Sequence, residues 1–307
     1  CGGVARLLDV AADAVLPFST GVIGEPLPLD RLLSGLPACV ADLTDDGWNR
    51  AASAIMTTDT VPKGASRRVA LEDGEVVLTG IAKGAGMIRP DMATMLAFVA
   101  TDADVEAELL DRLLTDAVAQ SFHRVTVDGD TSTNDACLLA ATGRSGVGLR
   151  GDADLAAFRK ALDSLCLELA QALIRDGEGV TRVLAIQVTA ARSVGEAEAV
   201  AFTVAHSPLV KTAAFAADPN WGRILAAIGR SDVDGLEVDA VDIWLDDYCI
   251  VRGGARVDGY SEAEAGARMA GDEVGIRIDL GRGQASATVW TTDFSDEYVR
   301  INAEYRT

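Results

Sequence analysis

The sequence predicts an α/β protein with layered sheets and helices. Long segments with apolar residues at helical spacing alternate along the chain with shorter apolar segments of strand length. The 307 residues are 49% apolar and 24% charged, which is typical of a globular protein with one or two domains and a large core. The alternation indicates layered sheets and helices, while the order of the strands does not follow from it.

The N-terminal half combines helices with strands. The clearest element is Asp104–Phe122, where leucines and valines recur on one face of an amphipathic helix. Glu75–Ile81 and Met95–Ala100 have the length and apolar character of strands. Three further elements are predicted: a helix through Val4–Ala11, a helix at Trp48–Ile55 and a short strand at Arg124–Val127.

The C-terminal half begins with a second strong helix. In Asp152–Arg175 leucines recur at helical spacing, and Gly177 and Gly179 then end the helix. Strands and helices alternate after it. The predicted strands are Val183–Thr189, Val241–Val251, Gly275–Asp279 and Ala285–Thr291, and the predicted helices are Glu196–His206, Pro208–Phe215, Asn220–Ile228 and Ser261–Met269.

The charge of the chain limits its partners. It carries 47 acidic and 27 basic residues, a net charge of -20. Phosphate backbones and anionic lipids repel such a surface, so we expect neither a nucleic acid nor a membrane partner. No apolar run has the length of a membrane span and no signal-peptide pattern is visible, so we expect a cytoplasmic protein.

The five cysteines stand at positions 1, 39, 137, 166 and 249, without the spacing of a metal or redox motif. This pattern favours buried thiols in a reducing cytosol. The chain opens with Cys1 inside a predicted helix. We therefore expect it to be a fragment that lacks the natural N-terminus.

The segment Lys83–Leu96, KGAGMIRPDMATML, is the most informative for chemistry. Its glycines give a permissive backbone, and the small Ala93 precedes Thr94 at the start of an apolar strand. Taken alone, the segment also fits an ordinary glycine-rich turn before a strand, which is the commoner structure. It matches neither the dinucleotide-binding fingerprint nor the P-loop.

Two other segments carry clusters of polar groups. In Phe18–Pro26, FSTGVIGEP, Thr20 and Gly21 can offer a hydroxyl and a backbone N–H to one point, as an oxyanion hole requires, although a plain strand-to-turn junction also fits. Val127–Asp135, VDGDTSTND, lacks the spacing of an EF-hand. We interpret it as a turn leading to a helix capped at Thr133 or Asn134, and we expect no metal.

Histidine-based catalysis has little support in the sequence. His123 and His206 are the two histidines, both at the ends of predicted helices, and no Gly-x-Ser-x-Gly motif occurs. A Ser-His-Asp hydrolase is therefore disfavoured. Glu178, between the two glycines of Asp176–Gly179, is on this pattern an ordinary acidic turn residue.

Taken together, these segments resemble the ornithine acetyltransferase (glutamate N-acetyltransferase) family of arginine biosynthesis. Each match is weak alone, but seven in the family's order along the whole chain are specific. The matching segments are STGVIG at 19–24, MTTDT with PK at 56–63, KGAGM to MATML at 83–96, VDGD to ND at 127–135, DGEG at 176–179, DPNWGR at 218–223 and RINAEY at 300–305.

The resemblance implies a self-cleaving fold of the DmpA/ArgJ-like type with a smaller C-terminal α/β lobe. It implies a cut between Ala93 and Thr94, so that residues 1–93 are the remainder of an α chain and 94–307 a β chain in one catalytic unit. Thr94 would be the nucleophile, and its new α-amine the base for its own hydroxyl. A free α-amine has a pKa of about 7.7–8.0, close to what a base at neutral pH needs.

The implied reaction is ping-pong transfer of an acetyl group from N²-acetylornithine to glutamate, without a cofactor. Thr20 and Gly21 match the family's oxyanion hole. Matching substrate contacts are Lys83, Glu178, Asn302, Thr307 and the nucleophile Thr94 itself, together with one threonine of Thr57–Thr60, for which we expect Thr60. The resemblance also implies a heterotetramer of two α and two β chains, and it leaves open whether acetyl-CoA is a second donor.

Two departures and two alternatives accompany this interpretation. The chain lacks the N-terminal stretch of the family, and Asp91 stands where the family more often has Asn. A self-cleaving N-terminal-nucleophile amidohydrolase or aminopeptidase would use water in place of glutamate. A non-catalytic scaffold would use the glycine-rich loops as turns, and would show no cleavage for a Thr94→Ala substitution to abolish.

Overall fold

A computed structural model describes residues 1–89 and 95–304. It contains two β-sheets, each covered by helices, so the predicted α/β layering is confirmed. The helices are α1 (Gly2–Leu8), α2 (Leu29–Ala41), α3 (Trp48–Ala54), α4 (Ala107–Gln120), α5 (Gly151–Arg175), α6 (Val194–Ala205), α7 (Pro208–Phe215), α8 (Trp221–Gly229), α9 (Glu262–Met269) and α10 (Asp296–Glu304). The strands are β1 (Lys63–Leu71), β2 (Gly74–Lys83), β3 (Leu96–Thr101), β4 (Ala136–Ala141), β5 (Val183–Ala191), β6 (Asp242–Leu245), β7 (Tyr248–Arg252), β8 (Ala255–Arg256), β9 (Glu273–Asp279) and β10 (Ala285–Thr292).

The first sheet has the order β1-β2-β3-β4. The first three strands are antiparallel to their neighbours, and β4 runs parallel to β3. In this register Lys83, the last residue of β2, pairs with Leu96, the first of β3, and Leu96 pairs with Ala136, the first of β4. The end of β2 and the starts of β3 and β4 therefore lie side by side at one edge of the sheet.

Helices α4 and α5 cover one face of this sheet. In α5 the leucines at helical spacing are buried, including Leu162, Leu165 and Leu169, and they pack with Val99 and Ala97 of β3. Burying each such leucine contributes about 1.5–3 kcal/mol, so this helix–sheet contact is a main source of stability for the lobe. The apolar residues whose helical spacing predicted α4 and α5 are the residues that pack in this core.

The second sheet has the order β10-β5-β9-β6-β7-β8 and forms the C-terminal lobe. Helix α6 packs on β5 and β10, α8 packs on α6, and α9 packs on β6 and β7 around a separate apolar core. The long helix α5 also contacts β10, and α10 follows β10 back to the first lobe, where Tyr298 packs on its core. The chain from β10 onward thus ties the two lobes together.

The structure corrects three predicted elements. Val241–Val251 is not one strand: Asp246, with φ of 50°, turns the chain between β6 and β7. Phe122–Arg124 forms a 3-10 turn, and Val125 makes an isolated bridge to Trp290, so Arg124–Val127 is not a strand.

The third correction concerns the segment after Val127–Asp135. It leads into strand β4, not into a helix capped at Thr133 or Asn134. The short run of Ala, Cys and Leu in β4 completes the sheet beside β3, and this pairing decides its structure. The strand β1 and the helices α2 and α10 were not predicted.

Among the described residues, no helix is both long and apolar enough to cross a membrane.

Candidate active site

A cavity of about 230 Å³ opens at the end of the first sheet where β2 finishes. It is lined mostly by polar groups from segments far apart in the sequence. Five of the site residues expected from the sequence meet here: Thr20, Gly21, Lys83, Glu178 and Asn302. The remaining lining residues are Ile23, Thr57, Thr58, Ala85, Gly86, Met87, Asp128, Asp130, Ser132, Asn134 and Tyr298.

Lys83 supplies the positive charge of the cavity. It is 3% exposed, and its Nζ donates a hydrogen bond to Oγ1 of Thr57 at 2.7 Å. Burial lowers the pKa of Lys83, and the negative charge of Asp59 opposes that shift. A partly desolvated ammonium with free donors is suited to an anionic group such as a carboxylate.

A buried ion-pair network of Lys63, Asp59 and Asp176 lies beside Lys83. Nζ of Lys63 lies 2.7 Å from Oδ1 of Asp59 and 2.5 Å from Oδ2 of Asp176, and all three side chains are almost fully buried. The same Oδ1 of Asp59 accepts a hydrogen bond from the Gly84 backbone at 2.7 Å. Hydrogen bonds from backbone and lysine hold the pKa of Asp59 below its usual value despite burial.

The same network binds Thr60, the threonine that we expected to contact substrate. The hydroxyl of Thr60 donates to Asp176, and its backbone N–H donates to the same carboxylate at 3.0 Å. Thr60 is not among the residues that line the cavity, whereas Thr57 and Thr58 are. A substrate contact for Thr60 stays a prediction.

Glu178 is held by one hydrogen bond through its backbone and one through its carboxylate. Its N–H donates to the carbonyl of Ala85 at 2.9 Å, and its Oε2 accepts from Nδ2 of Asn302 at 2.9 Å. A Cβ on Gly86 would come within 3.0 Å of the Glu178 carboxylate, and a Cβ on Gly179 within 3.0 Å of the Tyr298 backbone. Gly179 also has a φ of +66°, so the turn requires glycine there.

Asp128 and Tyr298 were not identified as site residues from the sequence. Asp128 accepts hydrogen bonds from the backbone of Met87 at 2.7 Å and Ile88 at 3.0 Å. The hydroxyl of Tyr298 donates to Asp128 at 3.3 Å, and burial raises the pKa of Asp128. The acidic segment that contains Asp128 therefore fixes the glycine-rich loop after β2.

Within the described ranges, no group of three His, Cys, Asp or Glu side chains could hold a metal ion.

Thr20 and Gly21 lie at the mouth of the cavity. The ring of Phe18 packs edge-on against Phe98 of β3, with ring centroids 5.1 Å apart, and so fixes the segment to the open face of the sheet. A groove of about 360 Å³ continues along this segment as far as Pro28. Thr20 and Gly21 line both the cavity and this groove.

One further acid lies at the same end of the sheet. Asp135 directly precedes β4 beside Met95, and burial raises its pKa to about 8, while the Met95 N–H and the charge of Lys83 oppose the shift. Ala93, Thr94 and Thr307 lie outside the described residues, as does Asp91.

The cavity can bind a zwitterionic molecule. A buried ammonium at Lys83 complements a carboxylate, and the carboxylate of Glu178 complements an amino group. Asn302, Asp128 and Tyr298 add directional hydrogen-bonding groups around the same space. A diamino acid acylated at its α-amine is a ligand of this kind, because it keeps both a carboxylate and a side-chain ammonium.

Comparisons with known proteins found close sequence similarity along the whole chain. A sequence model described as "ArgJ family" matches residues 1–307. The "Arginine biosynthesis bifunctional protein ArgJ" of Methylococcus capsulatus is 57% identical over 309 residues, covering 100% of this chain and 76% of that protein. The protein of the same name from Pseudomonas fluorescens is 51% identical over 307 residues, covering 99% of this chain and 76% of that protein.

A solved structure is also similar. The crystal structure of the arginine biosynthesis bifunctional protein argJ from Bacillus halodurans matches with a TM-score of 0.66 and 40% identity. The match covers 69% of this chain and 100% of the solved chain.

Proposed function

The chain belongs to the ArgJ family, and we propose that it is an arginine biosynthesis acetyltransferase that moves an acetyl group from N²-acetylornithine to glutamate. One observation carries the choice of substrates: buried Lys83 and buried Glu178, distant in sequence, line the same cavity. Both substrates present a carboxylate near the reacting nitrogen. We assign Lys83 to this carboxylate, and Glu178 with Asn302 to the amino end of ornithine.

The proposed chemistry uses Thr94 as the nucleophile. Its Oγ attacks the acetyl carbonyl carbon, while its hydroxyl proton passes to its own α-amine. The Thr20 hydroxyl and the Gly21 N–H donate to the oxyanion. The C–N bond then breaks, the proton passes to the departing amine of ornithine, and an acetyl ester remains on Thr94.

The second half of the reaction reverses these steps with a different amine. The α-amine of glutamate attacks the ester carbonyl and gives up a proton to the α-amine of Thr94. The C–O bond breaks, that proton returns to the Thr94 oxygen, and N-acetylglutamate leaves. Between the two half-reactions the acetyl group is held on Thr94, as ping-pong transfer requires.

The base in this scheme exists only after a cut between Ala93 and Thr94, which we propose is autocatalytic. Leu96, the first residue of β3, pairs with Lys83, so the described chain that follows the proposed cut begins at the cavity. The whole solved chain from Bacillus halodurans covers 69% of this chain, a share close to that of residues 94–307. The first observation supports a cut close to the cavity, and the second supports a β chain of the size of residues 94–307.

Several finer assignments belong to the same proposal. Thr60 and Thr307 contact substrate, and acetyl-CoA is a secondary donor, in keeping with the word "bifunctional" in the relatives' names. Two α and two β chains form a cytoplasmic heterotetramer. The competing function is an N-terminal-nucleophile amidohydrolase, in which water takes the acetyl group.

The test combines mass spectrometry with an acetyl-transfer assay. The full-length protein should appear as two fragments, the second beginning at Thr94, and labelled acetylornithine should leave acetyl on that fragment until glutamate is added. Thr94→Ala should remain uncut and inactive, whereas Thr94→Ser retains a hydroxyl and some cleavage. Normal cleavage of Thr94→Ala would refute the nucleophile, and transfer to water alone would establish the hydrolase.

A further inference from the structure

Lys211 is a fully buried lysine outside the cavity. It lies in α7 and is 1% exposed. Its Nζ donates to Oγ1 of Thr291 at 2.9 Å, to Oγ1 of Thr292 at 3.2 Å and to the carbonyl of Thr292. Throughout the described ranges, no carboxylate lies within ion-pair distance of this ammonium. Lysines are almost never fully buried unless they are paired, so this one needs an explanation.

The Lys211 ammonium contacts residues 291–294, at the end of β10 and just after it. Besides its bonds to Thr291 and Thr292, it lies 4.5 Å from the ring centroid of Phe294, a cation–π contact. The Phe294 N–H donates to the backbone carbonyl of Lys211 at 3.2 Å. Lys211 therefore holds three of the four residues 291–294 through its own atoms.

The next contacts lead from this segment to the cavity. The ring of Phe294 stacks on Tyr298 of α10, with centroids 4.9 Å apart. Asn302, one turn further along α10, donates to the carbonyl of Tyr298 at 3.0 Å and to Oε2 of Glu178 at 2.9 Å. Phe294 and α10 thus form a continuous series of contacts between Lys211 and a cavity carboxylate.

We propose that Lys211 is a positioning residue for the acetyl transfer: through Phe294 and Tyr298 it fixes α10 so that Asn302 orients Glu178. This inference rests on the proposed function of the cavity. It goes beyond that function because Lys211 is not among the lining residues and touches no substrate. Its effect should appear in substrate binding, since it acts on Glu178 and not on the oxyanion hole.

The protonation of Lys211 makes this contact sensitive to pH. Burial lowers its pKa to about 7, opposed by the charges of Asp293 and Asp128. Asp293 itself accepts from the Thr181 N–H at 2.9 Å, and the neighbouring His206 is kept neutral by burial, which lowers its pKa to about 4. An ammonium has three donors for the three oxygens, and a neutral amine has two. The contact should therefore weaken as the pH rises through about 7.

A purely structural role predicts something different. A buried ammonium without a carboxylate is costly, and an apolar side chain of similar shape is often neutral or stabilising there. If Lys211 only filled space, Lys211→Met would leave α10 and substrate binding unchanged. If it positions α10, the same substitution preserves global stability and loosens α10.

The experiment compares Lys211→Met with Lys160→Met, the same substitution at an exposed lysine of α5, in the full chain. Hydrogen exchange of the amides of α10 should become about five- to tenfold faster in Lys211→Met, as expected for the loss of about one net hydrogen bond, with the amides of α6 unchanged. The KM for acetylornithine should rise by a similar factor with little change in kcat. The rise in wild-type KM above pH 7 should disappear in the variant.

Two outcomes separate this proposal from the function it rests on. Unchanged exchange of α10 in Lys211→Met overturns the positioning role, whatever the activity of the enzyme. Faster exchange of α10 in a protein without acetyltransferase activity upholds the contact series and refutes the function of the cavity. If Lys211→Met does not fold, Phe294→Leu interrupts the same series at its next contact and should produce the same local increase in exchange, and failure to do so overturns the proposal.

Discussion

Gly86 and Glu178 approach each other so closely that the carboxylate occupies the space where a side chain at residue 86 would lie. The two residues belong to different segments, the loop after β2 and the turn after α5. The hydrogen bond from Glu178 N–H to the Ala85 carbonyl, at 2.9 Å, holds these segments together. The position of the negative charge in the cavity therefore depends on the absence of one methyl group.

Gly86→Ala should displace Glu178 without unfolding the protein. The added Cβ would meet the carboxylate within 3.0 Å, so the side chain must leave its present position. We expect the KM for acetylornithine to rise by about ten- to a hundredfold, as for the loss of one or two charge-assisted hydrogen bonds. Gly64→Ala in β1 is the matched control, because a Cβ there makes ordinary contacts, and an equal effect in both variants would contradict the prediction.

Asp176→Ala should destabilise the protein strongly. The carboxylate pairs with buried Lys63 and accepts from Thr60, so its removal leaves a buried ammonium with one of its two carboxylate partners. Breaking such a pair typically costs about 3–5 kcal/mol, measurable as a lower denaturant midpoint. Asp247→Ala removes an exposed pair with Arg268 and should change the midpoint little. A similar midpoint for both variants would show that the network contributes no more than a surface pair.

Thr20→Ala should reduce the rate of acetyl transfer more than substrate affinity. Loss of one oxyanion donor usually lowers kcat by about 10²–10³ with little change in KM. Thr20→Ser keeps the hydroxyl and should retain much of the activity. Steady-state kinetics of both variants test the assignment, which a mainly raised KM in Thr20→Ala would contradict.

Asp135→Asn should change how stability depends on pH. The pKa of Asp135 is raised by burial from 3.8 to about 8, so the folded protein holds a proton that the unfolded chain releases. The stability that this proton contributes is complete below about pH 4 and is lost as the pH rises towards about 8. The Tm of the wild type should fall relative to that of Asp135→Asn across this window. Parallel Tm curves would mean that Asp135 titrates normally.

The fold was predictable from sequence where a single element buries a complete face. Helices α4 and α5 each present a long apolar stripe to the sheet, and α7 begins at Pro208 behind a serine cap as its sequence suggests. β1 was missed because it buries only a few of its residues and carries two adjacent arginines, Arg67 and Arg68, at its centre. The β6–β7 turn was missed because Asp246 and Asp247 lack the glycine that usually marks a two-residue hairpin.

Five of the residues that line the cavity were predictable from the sequence, and the contacts that hold them were not. The resemblance named Lys83 and Glu178, yet the residues that hold the loop after β2 belong to other segments. Asp128 and Met87 are far apart in the sequence, so no local pattern could predict their contact. Tyr298 contacts Asp128 from α10, a helix that the sequence pattern did not predict. Such long-range polar contacts depend on the packing of both lobes.

The pairing of β2 with β3 changes what a cut at Ala93–Thr94 would mean. Residues 78–83 and 96–101 lie side by side as neighbouring strands in the middle of the first sheet, on opposite sides of that bond. Hydrolysis would convert an intramolecular strand pair into an interface between two polypeptides without moving either strand. The fragments could separate only by opening a central sheet and its core, so they should co-elute in native buffer and part only in denaturant. The cut would then change the free energy of the native state very little. Once unfolded, however, the two fragments would have to associate again, so refolding would be a bimolecular reaction whose rate depends on protein concentration.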